Sequence, residues 1–587
     1  MKITEALKVR QRAPRDGVRH DVILACGFTP LHMETLLGAH LQQRLPDRRV
    51  TISTGLYGDI AGTLESLENT GAHSVAVALE WQDCDSRLGY RGAGSWGPAA
   101  LTDILATAHA ALGRMAAAIE KIPAGVPVAC SLPTLPLPPV FHTAGWQTAD
   151  GEWALEQETA KFASRLLSRK GFLLANPRRL AEESPAALRY DFKSDTALGL
   201  PYTIAHADCV AAILARLLAP EPPKKGLVTD LDDTLWRGLV GEIGPDGVSW
   251  DLTSHSQLHG LYQKLLASLA EEGVLIGIAS KNDPDVAKRA LERNDILLPA
   301  ARVFPVEANW SAKSASVERI LRTWNVGPDS VVFVDDSAME LAEVAAVHPE
   351  ILCLPFPKDD PAAGFRFLNR LRDLFGKARL SSEDALRLDS IRQGAAFQQA
   401  AGAVSAAESF LEQAGSVVTI DFAPEANDPR ILELVNKTNQ FNLNGVRYME
   451  ADWKRSLERE GALLAVVDYK DKFGPLGKIA VMRGRRSGDT VTLDTWVMSC
   501  RAFSRRIEHQ CLQKLFERTG AREIVFQFLP TPKNGPLREF FEGLTGVSPA
   551  ASFAITRAQF EEKRPPLYHQ VIETISDGTP WTQSQLA

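Results

Sequence analysis

Residues 227–236 read LVTDLDDTLW, an apolar step that runs into three acids within four positions. A carboxylate buried without a partner costs several kcal/mol, so acids clustered at the mouth of a buried strand call for a cation. Asp230 and Asp232 stand two apart, which in extended chain puts both side chains on one face. Downstream, GVLIGIAS (273–280) is a second apolar strand that ends in Ser280, followed by Lys281 and Asn282. EANWSAKS (307–314) brings Lys313 and Ser314 to a helix start, and SVVFVDDS (330–337) ends in Asp335 and Asp336. Ligands of open α/β sheets bind beyond the carboxyl ends of the strands, where all these residues fall.

Such a set fits phosphoryl transfer to a carboxylate. Mg²⁺ prefers carboxylate oxygens and keeps waters for a substrate phosphate. Asp230 is expected as nucleophile, and Asp232 as the acid that protonates the leaving alkoxide and then the base that activates water. Ser280 and Lys313 are expected on the phosphoryl oxygens, with Lys281 and Asn282 at the substrate. Asp230, Asp232, Asp335 and Asp336 are the expected metal ligands, Asp336 favoured over Asp335 for direct contact. Asp233 reads as a turn or capping residue. A purely structural Mg²⁺ or Ca²⁺ site is the plain alternative.

Outward from this centre, 587 residues are too many for one core. Strand-like stretches at 20–28, 49–58, 73–81 and 126–133 alternate with helical patterning at 30–41 and 101–121, the signature of a mostly parallel sheet. APEPPKKG (219–226) marks a boundary. The expected division is 1–222, 223–376, a helical connector at 377–415, a mixed segment at 416–560, and a weakly structured tail at 561–587. In the mixed segment a helix is expected from Phe503 to Glu517, with Cys511 on its apolar stripe. Composition is ordinary, 45% hydrophobic and 23% charged, with a net charge of −7. A mildly acidic chain gives no sign of nucleic-acid or anionic-membrane binding. No apolar run spans a bilayer, and seven scattered Cys form no disulfide or zinc pattern, so reduced thiols and a cytoplasmic setting are expected.

In order and setting, Asp230-Leu231-Asp232-Asp233-Thr234, Ser280, Lys313 and Asp335-Asp336 resemble the motifs of the haloacid dehalogenase superfamily of phosphohydrolases. DLDDTLWRGLVGEIG (230–244) and NWSAKS (309–314) look like one branch of it, the FkbH-like proteins. NKTNQFNLNGVRY (436–448), MSCRAFSRRIE (498–508) and PTPKNGPLREFFEGL (530–544) carry the same resemblance through the last segment. It implies a bifunctional glyceryltransferase/phosphatase. Such enzymes take D-1,3-bisphosphoglycerate, remove its phosphates, hold glyceryl on a Cys and pass it to an acyl carrier protein for polyketide biosynthesis of the methoxymalonyl type. The matching thiol is Cys500, with Arg501, Asn439 and Asn534 implied at the substrate, and the last domain is implied to be GNAT-like. The family commonly has Gly where Ser504 stands, which argues against ordinary acetyl-CoA binding.

The residues alone make Cys500 a candidate. It follows the strand TVTLDTWVMS and precedes the expected helix, so a helix N-terminus and Arg501, Arg505 and Arg506 would lower its pKa. A buried strand-end Cys is the other reading. Asn439, Gln440 and Asn442 either line an acyl pocket or cap turns. His509 has no supporting spacing. Residues 20–218 faintly resemble an SGNH-hydrolase-like domain through CGFTPLH (26–32) and DTALGLPYTIAH (195–206), but the Gly-Asp-Ser of that class is absent. The fold class expected overall is therefore α/β and multidomain: an SGNH-like α/β domain, a Rossmannoid domain and a GNAT-like α+β domain. The rival is a Mg²⁺-dependent phosphatase for another small molecule or phosphoprotein, joined to an acetyltransferase-like domain. A non-catalytic scaffold for a carrier protein is a third reading.

Overall fold

The computed structural model describes residues 1–574 except 70, 93–97, 140, 378–379, 381–383, 385–386, 390, 393–394, 396–411, 423–427, 459, 473, 500–501 and 504. Met1–Glu221 and Pro222–Ala587 form two units.

The first unit is built on strands β1 (Val18–Cys26), β2 (Arg48–Thr54), β3 (Ser74–Ala78), β4 (Val128–Ser131) and β5 (Phe172–Leu174), ordered β2-β1-β3-β4-β5. All pairs are parallel. Both faces of the sheet are covered, which is why β3 is buried at every position. Helices Pro98–Lys121 and Asp150–Leu167 pack on one face through Ile104, Leu112, Leu155 and Phe162. Leu31–Arg44 and Ile204–Leu218 pack on the other through Leu36, Leu37, Val210 and Leu214. Cys26 ends β1 with its thiol donating to the Phe28 carbonyl, and burial pushes its pKa up to about 12. Thr29 Oγ1 donates to Leu198 O.

The second unit holds two sheets. The first has β6 (Gly226–Thr229), β7 (Leu275–Ser280), β8 (Val303–Ala308), β9 (Val331–Asp335) and β10 (Leu352–Pro355), all parallel and ordered β10-β9-β6-β7-β8. From β6 the chain passes to β7 on one side, and later to β9 on the other. That reversal opens a crevice beyond the carboxyl end of β6. Glycines on two adjacent strands admit the ring of Trp324: a Cβ at Gly226 would lie 2.5 Å from it, and one at Gly277 2.8 Å.

The second sheet comprises β11 (Val417–Asp421), β12 (Phe441–Asn442), β13 (Ala462–Asp471), β14 (Gly474–Ser487), β15 (Thr490–Met498), β16 (Glu523–Phe526), β17 (Phe553–Thr556) and β18 (Gln570–Thr574). Its order is β17-β16-β15-β14-β13-β11-β18, with β12 paired to β15. β15 and β16 run parallel only over Thr490–Leu493 and Glu523–Phe526; beyond that β15 continues to Met498, where β12 takes over as its neighbour.

Two expectations are corrected here. The helix expected from Phe503 begins at Ile507, because Arg506 adopts φ 59°, outside helical geometry. The segment expected as a weakly structured tail instead supplies β18, which pairs with β11 from Val417↔Gln570 to Asp421↔Thr574. Most of the connector expected at 377–415 lies outside the described residues. Among those described, no helix is long and apolar enough to cross a membrane.

Candidate active site

Four strand ends converge on the crevice at β6. Asp230 follows β6 directly, Ser280 ends β7, Asp335 ends β9, and Lys313 opens the helix Lys313–Trp324 that follows β8. Apolar strands carry these polar groups into the core, so Asp230 is 6% exposed, Lys313 4% and Asp335 0%. Burial at that depth is tolerable because the charges meet: Lys313 Nζ lies 2.9 Å from Asp230 Oδ1 and pairs with Asp335 Oδ2 as well. Desolvation nonetheless outweighs the lysine and pushes the Asp230 carboxyl up to about 7. Asp335 is raised for the same reason. The two carboxylates in turn raise Lys313 despite its burial.

Asp232 stands in different surroundings. Its Oδ1 accepts from Trp236 Nε1 at 2.9 Å and the Val240 amide at 3.0 Å, and its Oδ2 from Asn282 Nδ2 at 3.1 Å. Neutral donors thus fix it, and among the described residues it has no salt bridge. Asn282 Nδ2 also reaches Ser280 Oγ at 3.0 Å. Asn282, expected at the substrate, is therefore the brace between Asp232 and Ser280. Lys281 pairs with Glu340 at 2.8 Å.

Carboxylate oxygens of Asp230, Asp335 and Asp336 lie within 4.8 Å of one another, a set that suits a hard divalent cation. The carboxylate of Asp232, expected among the ligands, stands outside this trio. Asp336 is tied to the β6 loop, its amide donating to Thr234 Oγ1 at 3.1 Å. Sequence reasoning missed Lys358, whose Nζ lies 2.9 Å from both Asp233 Oδ2 and Asp336 Oδ2. Asp233 is a turn residue as expected, at φ 50° with its Oδ1 taking the Gly238 amide.

Elsewhere in this unit a cavity takes in two of the residues weighed for an acyl pocket, Asn439 and Gln440. The cavity, of about 360 Å³, is lined by Lys437, Asn439 and Gln440, by Met498 and Ser499, and by Pro532 and Lys533. Its opposite wall comes from Lys225, Leu275, Trp324 and Ser330, at the amino ends of β6, β7 and β9. Asn534, expected at the substrate, is 1% exposed and fully spent within the protein, its Nδ2 donating to Asn442 O and Leu529 O. Asn442 caps a turn, accepting from the amides of Asn444 and Gly445. Asn439 accepts from Arg447. Cys500, Arg501 and Ser504 lie outside the described residues. The supports expected for a reactive thiol there are changed: the helix starts at Ile507, Arg505 faces Asp471 at 3.4 Å, and Arg506 donates to Pro566 O. Cys511 is buried in the core, as its stripe position implies.

No protein-family model matches the chain, and no curated protein matches it. Among solved structures, the N-terminal part of the protein BF1531 from Bacteroides fragilis, containing a phosphatase domain complexed with Mg, is similar over 65% of this chain and 100% of its own, at 17% identity and a TM-score of 0.52. An extracellular lipase from Streptomyces rimosus is similar over 34% of this chain and 98% of its own, at 13% identity and a TM-score of only 0.25. The first likeness shows a shared α/β fold.

Proposed function

We propose that residues 223–376 form a Mg²⁺-dependent phosphohydrolase of the haloacid dehalogenase type. One observation carries this reading: Asp230 lies 2.9 Å from Lys313 at the mouth of the crevice, with carboxylate oxygens of Asp335 and Asp336 within 4.8 Å. Asp230, Asp335 and Asp336 would hold the ion. Bound there, Mg²⁺ would offset the repulsion between the Asp230 carboxylate and the phosphoryl oxygens. Asp230 attacks phosphorus, the ester P–O bond breaks, and Asp232 gives its proton to the leaving alkoxide. Asp232 then takes a proton from water, which attacks the aspartyl-phosphate and releases phosphate. Lys313 and Ser280 hold the equatorial oxygens throughout. The test is phosphate release from p-nitrophenyl phosphate with Mg²⁺. Asp230→Asn is expected to abolish it, and an undiminished rate would overturn the assignment.

The finer reading is glyceryl transfer: the acyl group of D-1,3-bisphosphoglycerate passes to Cys500 and then to the thiol of an acyl carrier protein. Its support is that three separate stretches of the FkbH-like resemblance line one cavity through Asn439, Ser499 and Lys533. A thiolate would displace phosphate from the acyl-phosphate, forming the C–S bond as the C–O bond breaks. Intact-protein mass spectrometry after incubation with the substrate is expected to show an acyl adduct that Cys500→Ala lacks. An adduct that survives in Cys500→Ala would remove the thiol from the scheme.

A further inference from the structure

Acids at and just beyond the carboxyl ends of β6 and β9 pair across the crevice twice, each time through a lysine. Asp230 and Asp335 share Lys313, and Asp233 and Asp336 share Lys358. The inner pair is dry, with side chains 9% and 0% exposed. The outer pair is 27% and 18% exposed and Lys358 itself 35%, so water and ions reach it.

An ammonium nitrogen 2.9 Å from one oxygen of each of two carboxylates sits where a cation bridging them would sit. Both acids are held for that geometry. The Gly238 amide takes Asp233 Oδ1 and leaves Oδ2 to the lysine, while Thr234 anchors the Asp336 backbone. Lys358 comes from the turn after β10, where its amide donates to Phe356 O at 3.0 Å. That turn is itself tied to the end of β9, the Phe356 amide donating to Asp335 O at 2.9 Å, so backbone structure sets Lys358 beside Asp336.

The charges point the same way. With every carboxyl ionised, as a bound cation would favour, five carboxylates (Asp230, Asp232, Asp233, Asp335 and Asp336) stand against two ammonium groups (Lys313 and Lys358), an excess of three negative charges. One divalent ion leaves a single excess charge. Without Lys358 the excess would be four, the charge of two divalent ions, with Asp336 placed between them as carboxylates are in two-metal sites.

We propose that Lys358 is a positioning residue that stands in for a second divalent cation: it holds Asp233 and Asp336 together and limits the crevice to one metal ion. The inference rests on the metal-dependent reading above, and its test separates the two. Mn²⁺ is titrated into the full chain and the free ion followed by its electron paramagnetic resonance signal. The site count is the difference from an Asp230→Asn/Asp335→Asn/Asp336→Asn variant. Wild type is expected to take up one ion at the site, Lys358→Met and Lys358→Gln two, and Lys358→Arg one. Adding Asp233→Asn to Lys358→Met should return the count to one. A count that stays at one in both Lys358→Met and Lys358→Gln overturns this proposal and leaves the metal site intact. No uptake by wild type overturns both.

Discussion

Asp230 and Asp232 are two residues apart, yet one faces a buried ammonium and the other three neutral donors. That contrast supports the proposed division of labour, Asp230 as nucleophile and Asp232 as proton carrier. Asn282 is the donor shared between Asp232 and Ser280, so Asn282→Ala should lower kcat about tenfold with little change in KM, the loss of one hydrogen bond to a charged group. A fall in KM-controlled binding alone would place Asn282 at the substrate after all. The raised Asp230 carboxyl gives a second prediction. Its folded value of about 7 exceeds the ordinary value near 3.9, so the metal-free chain binds an extra proton between them. The associated stability is complete below pH 4 and is lost, by a few kcal/mol at most, as pH rises through 7. Mg²⁺ competes with that proton, so it should raise Tm more at pH 8 than at pH 5, measured against EDTA controls. Equal shifts would separate the ion from Asp230. The motif acids were readable because strand periodicity put them at strand ends. Lys358 was not, since it belongs to no pattern and meets Asp233 across 125 positions of chain.

At the scale of the element, Trp324 shows how two glycines shape the sheet beneath the crevice. The ring is 1% exposed and lies against both Gly226 and Gly277. Gly277→Ala would place a methyl 2.8 Å from Cζ2 on a residue whose Nε1 is tied to Phe304 O, so the ring cannot swing freely. The expected cost is about 1–3 kcal/mol, read as a lower midpoint in urea at unchanged slope. An unchanged midpoint would mean the helix Lys313–Trp324 gives way without strain. Long elements with strong periodicity were legible. Failures came where the local signal was weak. Phe503 fits an apolar helical stripe, but it packs beside Phe441 at 6.0 Å, and the true helix starts without a Ser, Thr, Asp or Asn cap. β18 is an edge strand exposed at four of five positions, so no buried alternation announces it. β5 has three residues, too few for a period.

Within the second unit, the two proposed sites occupy opposite ends of one sheet. Asp230, Ser280 and Asp335 stand at the carboxyl ends of β6, β7 and β9, whereas Lys225, Leu275 and Ser330 wall the other cavity at their amino ends. Strands of four to six residues set these ends roughly 13–20 Å apart at about 3.3 Å per residue. A three-carbon acyl group seated in the cavity is far too short to present its phosphate to Asp230. Under the proposed glyceryl-transfer reading, phosphate would therefore leave before the acyl group is seated, or after it departs on a carrier's arm. Transfer from an acyl-phosphate to a thiol needs no metal, so an adduct formed in EDTA should keep its 3-phosphoryl group. After free substrate is removed, adding Mg²⁺ should leave that adduct phosphorylated, whereas Mg²⁺ present from the start should yield a dephosphorylated one. Mass spectrometry distinguishes these species. Loss of the phosphoryl group from the preformed adduct, at a rate independent of protein concentration, would mean that the unit rearranges to bring its two ends together.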